Sequence, residues 1–196
     1  MALTGKVGGE HQLVKDGMHL ATCVSVFDLG TQSGGKFGAK RKIYIAFELA
    51  DEPREFEADN GGKVQYRVKA FIECTLSMNE KATLRKVLES WGGRKFTDEE
   101  AEAFDVLKFA GKAAQVLTVN NERGYPEIKS VKPLAKGMAA VPPLAKVQTY
   151  EMGQPLPEGL PNWLVQKITN APEFCDDGGE DMSQYEGMNS GESAPF

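Results

Sequence analysis

Residues 63–93 read KVQYRVKAFIECTLSMNEKATLRKVLESWGG. The first twelve alternate. Val64, Tyr66, Val68, Ala70 and Ile72 fall on one side of an extended chain, and Gln65, Arg67, Lys69, Phe71 and Glu73 on the other. Successive strand residues point to opposite faces, so this is a strand. Past Cys74 the period changes. Leu84, Val87, Leu88 and Trp91 recur at helical spacing, Ser77 precedes Glu80 by three as in a capping box, and Gly92-Gly93 supplies the stop. A strand that runs straight into a helix narrows the architecture once the strands around it are placed.

Two strands precede it. Gly17 to Asp28 (GMHLATCVSVFD) places Leu20, Val24 and Val26 on one face and Ala21, Cys23, Ser25 and Phe27 on the other. Arg41 to Leu49 alternates most cleanly, with Ile43, Ile45, Phe47 and Leu49 opposite Lys42, Tyr44, Ala46 and Glu48. A Gly-rich loop, 29–40, joins these two, and the polar stretch 51–62 (DEPREFEADNGG) leads into the third. After the helix, Thr97 opens a second short one (TDEEAEAFDVL) with acids in its first turn, where the helix dipole favours them. Residues 113–120 and 125–134 then form a closing hairpin around Asn120–Gly124.

Three strands, a helical insert and a two-strand hairpin is the order of an OB-fold, a five-stranded partly open Greek-key barrel. An SH3-like barrel would not place two helices between its third and fourth strands. The expected organisation is a flexible lead-in over 1–16, the barrel over 17–134, and a linker over 135–172. That linker contains one amphipathic stretch, 161–170, with Trp163, Leu164 and Ile168 on its apolar side. A disordered acidic tail is expected over 173–196.

Composition supports a globular body with an unusual end. Hydrophobic residues make up 41% and charged residues 26% of 196, which fits neither a wholly disordered chain nor a membrane protein. No apolar run reaches the length of a membrane span. Three separated cysteines and no secretory leader suggest a reducing cytoplasm, which would be the host's for a viral protein. The net charge of −5 hides an asymmetry: residues 151–196 hold one base against nine acids, leaving +3 over 1–150.

The first and last hairpin loops of an OB-fold flank its usual binding face. Here the first loop and its edges hold Lys36, Phe37, Lys40, Arg41 and Lys42, and the last holds Arg123 and Tyr125. Strand two offers Tyr44, and strand three offers Arg67, Lys69 and Phe71. Cations interleaved with flat rings suit unpaired nucleic acid, since charges track phosphates and rings stack on bases. On this reading Lys36, Lys40, Arg41, Lys42, Arg67, Lys69 and Arg123 neutralise phosphates, while Phe37, Tyr44, Phe71 and Tyr125 stack on bases.

Other chemistries find less support. Gly30 to Lys36 (GTQSGGK) matches seven positions of a phosphate-binding P-loop, but Phe37 stands where Ser or Thr should hold Mg²⁺, and a strand follows instead of a helix. His11, His19 and the cysteines lack zinc-ligand spacing, and no nucleophile–base pair is evident. The expectation is a non-enzymatic protein without metal or cofactor.

Residues 21–49, ATCVSVFDLGTQSGGKFGAKRKIYIAFEL, together with an acidic end closing on Ala-Pro-Phe, make a specific likeness. The chain resembles the OB-fold single-stranded-DNA-binding proteins that bacteriophages encode, and its end resembles the acidic tip of bacterial single-stranded-DNA-binding proteins. The resemblance implies a protein that coats single strands without sequence preference during replication, recombination or repair. It implies that Pro195 and Phe196 recruit replication or repair proteins. A homo-oligomer is compatible with it, and a membrane partner is not. Two rival readings keep the barrel: a single-strand-annealing recombination protein, and an adaptor that binds protein instead of DNA.

Overall fold

The computed structural model describes residues 13–57 and 61–176, without the side chains of Phe37, Cys175 and Asp176. Three long strands lead: β1 (Gly17–Gln32), β2 (Lys40–Glu57) and β3 (Lys63–Thr75). Helices α1 (Thr83–Gly92) and α2 (Asp98–Glu102) follow, then β4 (Ala113–Asn120) and β5 (Pro126–Lys132). A short β6 (Gln148–Tyr150) and helices α3 (Asn162–Thr169) and α4 (Pro172–Asp176) end the described chain. β1 pairs antiparallel with β2 and β4, β2 with β3, β4 with β5, and β3 meets β5 in parallel at Phe71 and Glu127. The sheet therefore closes in the order β1-β2-β3-β5-β4. This is the five-stranded OB-fold barrel, with its helical insert between the third and fourth strands.

The interior follows the alternation. Ile43, Ile45, Phe47 and Leu49 from β2 meet Ala70 from β3, Ala114 and Val116 from β4, and Val131 from β5. Leu84, Leu88 and Trp91 bring the apolar stripe of α1 onto the same core, with Trp91 against Phe47 and Phe109 at ring-centroid distances of 5.1 and 4.2 Å. The capping box forms at Thr97, whose hydroxyl accepts from the Glu100 N–H at 3.2 Å while the Glu100 carboxylate accepts from the Thr97 N–H at 3.0 Å. None forms at Ser77 and Glu80. There the chain turns on Ser77 and Asn79, whose side chains accept from backbone N–H groups two residues on, and the helix starts later, at Thr83.

β1 departs from simple alternation. Its pairing with β2 skips between Cys23 and Ser25, so two residues oppose one and the phase shifts. Ala21, Cys23 and Val26 consequently point into the barrel, while Val24, Phe27 and Leu29 point out. The outward set is fully buried because a second core lies there. Tyr150 of β6 and Leu164 and Ile168 of α3 cover Val24, Phe27, Leu29, Tyr44 and Ala46.

Residues 135–172, expected as a linker, thus form an outer layer on the barrel. α4 extends that layer into the segment expected as tail: Glu173 accepts from the backbone N–H of Thr31 at 2.9 Å. Gly30 is what admits it. With φ at +64° and an added Cβ only 2.5 Å from Ala171 and 2.6 Å from Met152, no other residue fits that position. At the other end, Val14 enters the barrel core and Lys15 donates its N–H to Glu52 at 3.1 Å, so packing begins inside the expected lead-in. The remainder of that lead-in, 1–12, and the acidic stretch 177–196 lie outside the described residues.

Two thiols report on this packing. Cys23 and Cys74 are buried, and loss of hydration pushes their pKa values up to about 12 and about 11. Since only the thiolate reacts, both are expected to resist a thiol-specific reagent at pH 8 until denaturant is added, as read by peptide mass spectrometry. Rapid native labelling of Cys23 would contradict a closed barrel.

Candidate nucleic-acid interface

The outward side of β2 and β3 divides into a covered and an open part. On β2, Tyr44, Ala46 and Glu48 are buried. Glu48 is the anchor of the covering segment: its carboxylate accepts from the backbone N–H groups of Leu144 and Ala145, each at 2.7 Å, and from Arg67 at 3.2 Å. Arg67 also donates to the Pro142 carbonyl at 2.9 Å. On β3, in register with Glu48 and Ala46, Lys69 and Phe71 remain open. Phe71 is 46% exposed, which is unusual for a large apolar side chain in the middle of a strand.

The cations expected at the groove separate into two groups. Arg41 pairs with the buried Asp28, Lys42 lies 3.6 Å from Glu73, and Arg67 pairs with Glu48. These three, read from sequence as phosphate ligands, hold the barrel edge and its outer layer, each against a carboxylate. The pairing with Asp28 also raises the Arg41 pKa further. Lys36, Lys40, Lys69 and Arg123 make no ion pair among the described residues, and all four are exposed. Lys40 and Lys81 line an open depression of about 340 Å³ with Thr75, Ser77 and Asn79, at the end of the barrel where the first loop meets the start of the helical insert.

The expected stacking rings separate likewise. Tyr44 is a core residue: it stacks on Phe27 at 6.0 Å and 14°, with Phe71 and Trp163 at 5.1 and 5.8 Å, and burial raises its phenol pKa. A base cannot reach its face. Tyr125 is 48% exposed on the β4–β5 turn, next to Arg123. That turn is ordered by Asn121, whose side-chain oxygen accepts from the N–H groups of Arg123 and Tyr125 at 3.0 and 3.1 Å. The Phe37 side chain, Pro195 and Phe196 lie outside the described residues.

The open set thus follows β3. From Lys69 through Phe71 to Thr75, where Lys40 approaches, is about 20 Å at strand rise. The β3–β5 pairing at Phe71 and Glu127 brings the base of the Arg123–Tyr125 turn alongside. Two residues that sequence reasoning left out of the site belong beside it. Trp163 is 38% exposed with its ring 6.0 Å from Phe71, and Lys167 is paired with Glu73. The amphipathic pattern of 161–170 signalled the helix, but not the strand it lands on.

No protein-family model matches the chain, and comparison with the curated proteins and with solved structures finds no match either.

Proposed function

We propose that the protein binds single-stranded DNA without strong sequence preference, coating it during replication, recombination or repair. The observation that carries this reading is the half-exposed Phe71 on the outward face of β3, beside Lys69, which makes no ion pair among the described residues. Strand three and the two flanking loops are where OB-folds hold oligonucleotides. Here those loops supply Lys36 and Lys40 on one side and Arg123 and Tyr125 on the other. Rings stack on any base, so affinity does not depend on base identity, and the cations make it salt-dependent.

Fluorescence polarisation with oligo-dT of about 30 nucleotides against duplex DNA, over a salt series, tests the reading. Single-strand preference with a steep negative salt slope is expected. Phe71→Ala should weaken binding by about 1–3 kcal/mol at every salt concentration. Lys69→Ala should lower the salt slope by about one. Absence of binding at about 50 mM salt would leave the barrel as a protein-binding adaptor.

A further inference from the structure

We infer that Trp163, contributed by the outer layer and not by the barrel, completes a two-ring stacking platform with Phe71. This rests on the DNA-binding reading above and names the residue that would set its aromatic surface. The ring centroids lie 6.0 Å apart with planes inclined by 33°, within the range of adjoining aromatic groups. Both rings rest on Tyr44, at 5.1 and 5.8 Å, and Tyr44 is itself stacked on Phe27. The inner two rings are buried and the outer two are open, at 46% for Phe71 and 38% for Trp163. The Trp163 indole leaves more than a third of its surface in water, beside another exposed ring.

The platform is held from behind. Leu164 and Ile168, further round α3 from Trp163, are buried in the second core, and the Lys167 carbonyl accepts from Gln32 at 2.9 Å. The indole is therefore positioned before any ligand arrives, which lowers the ordering cost of binding. Charge favours an anion along the same edge. Glu73 is shared between Lys42 and Lys167, so these three groups sum to +1, and Lys69, which makes no ion pair among the described residues, adds a further cation on the other side of Phe71. A nucleotide stacked here would find cations on both sides for its phosphates.

The chain has two tryptophans, and Trp91 lies in the barrel core with its N–H donated to the Ala113 carbonyl at 3.1 Å. Intrinsic fluorescence thus isolates Trp163. Titration of the full chain with oligo-dT is expected to quench tryptophan emission. Trp163→Phe should abolish that quenching and keep most of the affinity read by polarisation, because a ring remains. Trp163→Ala should weaken binding on the order of 10- to 100-fold. Tight binding by polarisation with no quenching in the wild-type chain, or with Trp163→Ala binding like wild type, overturns the platform and leaves the DNA-binding reading standing. No binding of oligo-dT by the wild-type chain overturns both. Should Trp163→Ala fail to fold, wild-type quenching and its loss in Trp163→Phe decide the matter.

Discussion

A chain cut after Val141 is expected not to fold, while one cut after Asp176 keeps the barrel intact. The first cut strips Tyr150, Leu164 and Ile168 from the outer face of β1 and β2 and bares Val24, Phe27 and Leu29 beneath them. Each such side chain is worth about 1.5–3 kcal/mol when buried. Exposing the three bared ones costs about 5–9 kcal/mol, which is comparable with the whole stability of a domain. The same cut leaves Glu48 without its two backbone donors. Circular dichroism and urea titration of the two truncations measure the difference. A cooperative, soluble product from the shorter chain would show that the outer layer is dispensable.

The longer truncation carries its own expectation. Residues 177–196 hold five acids and no base, so removing them takes the net charge from −5 to 0. Under the proposed function these acids compete with phosphates for Lys36, Lys40, Lys69 and Arg123. The truncated chain should therefore bind oligo-dT more tightly, most clearly at low salt where screening is weak. Equal affinity across the salt series would remove the tail from the binding equilibrium. The cut belongs after Asp176 because Glu173 and Phe174 pack against the barrel. A deletion begun at residue 173 would mix lost packing with lost charge.

The barrel was legible because its signal is local. Ile43, Ile45, Phe47 and Leu49 state their own inward face, and the element order restricts the topology. The outer layer was not. Residues 135–161 carry no period, since β6 is three residues long and much of the rest is extended chain held by single contacts such as the Thr22 hydroxyl to the Val141 carbonyl. The bulge at Cys23–Ser25 is equally silent, because alternation read through it assigns Val24 and Val26 to one face when they occupy two. Part of the candidate site was hidden for a related reason. A lysine or arginine is open to a ligand only if no carboxylate meets it in the fold. Lys42 finds Glu73 and Arg67 finds Glu48 across a strand pair, while Arg41 finds Asp28 across another. Tyr44 and Phe71 lie on one outward face, yet α3 settles over the first and stops short of the second.

Glu48→Ala is expected to destabilise the protein by about 3–5 kcal/mol, the usual effect of breaking a buried ion pair from one side. At 2% exposure Glu48 is among the most buried side chains described, and its carboxylate meets two backbone N–H groups and a guanidinium. Its loss strands the Arg67 guanidinium, whose side chain is 17% exposed, and leaves the Leu144 and Ala145 N–H groups without an acceptor. Glu48→Gln separates the two contributions. A side-chain amide keeps one carbonyl acceptor but gives up the charge opposite Arg67 and turns a second acceptor into a donor facing an N–H. It should fall between wild type and Glu48→Ala. Urea unfolding resolves the series, with midpoints shifting at constant m if the barrel and its outer layer unfold together. A drop in m for Glu48→Ala would mean that the outer layer has already detached in the folded state, leaving less surface to expose. Unfolding free energies for both variants within about 0.5 kcal/mol of wild type, the scale of an ordinary surface substitution, would show that apolar packing alone seats residues 142–145.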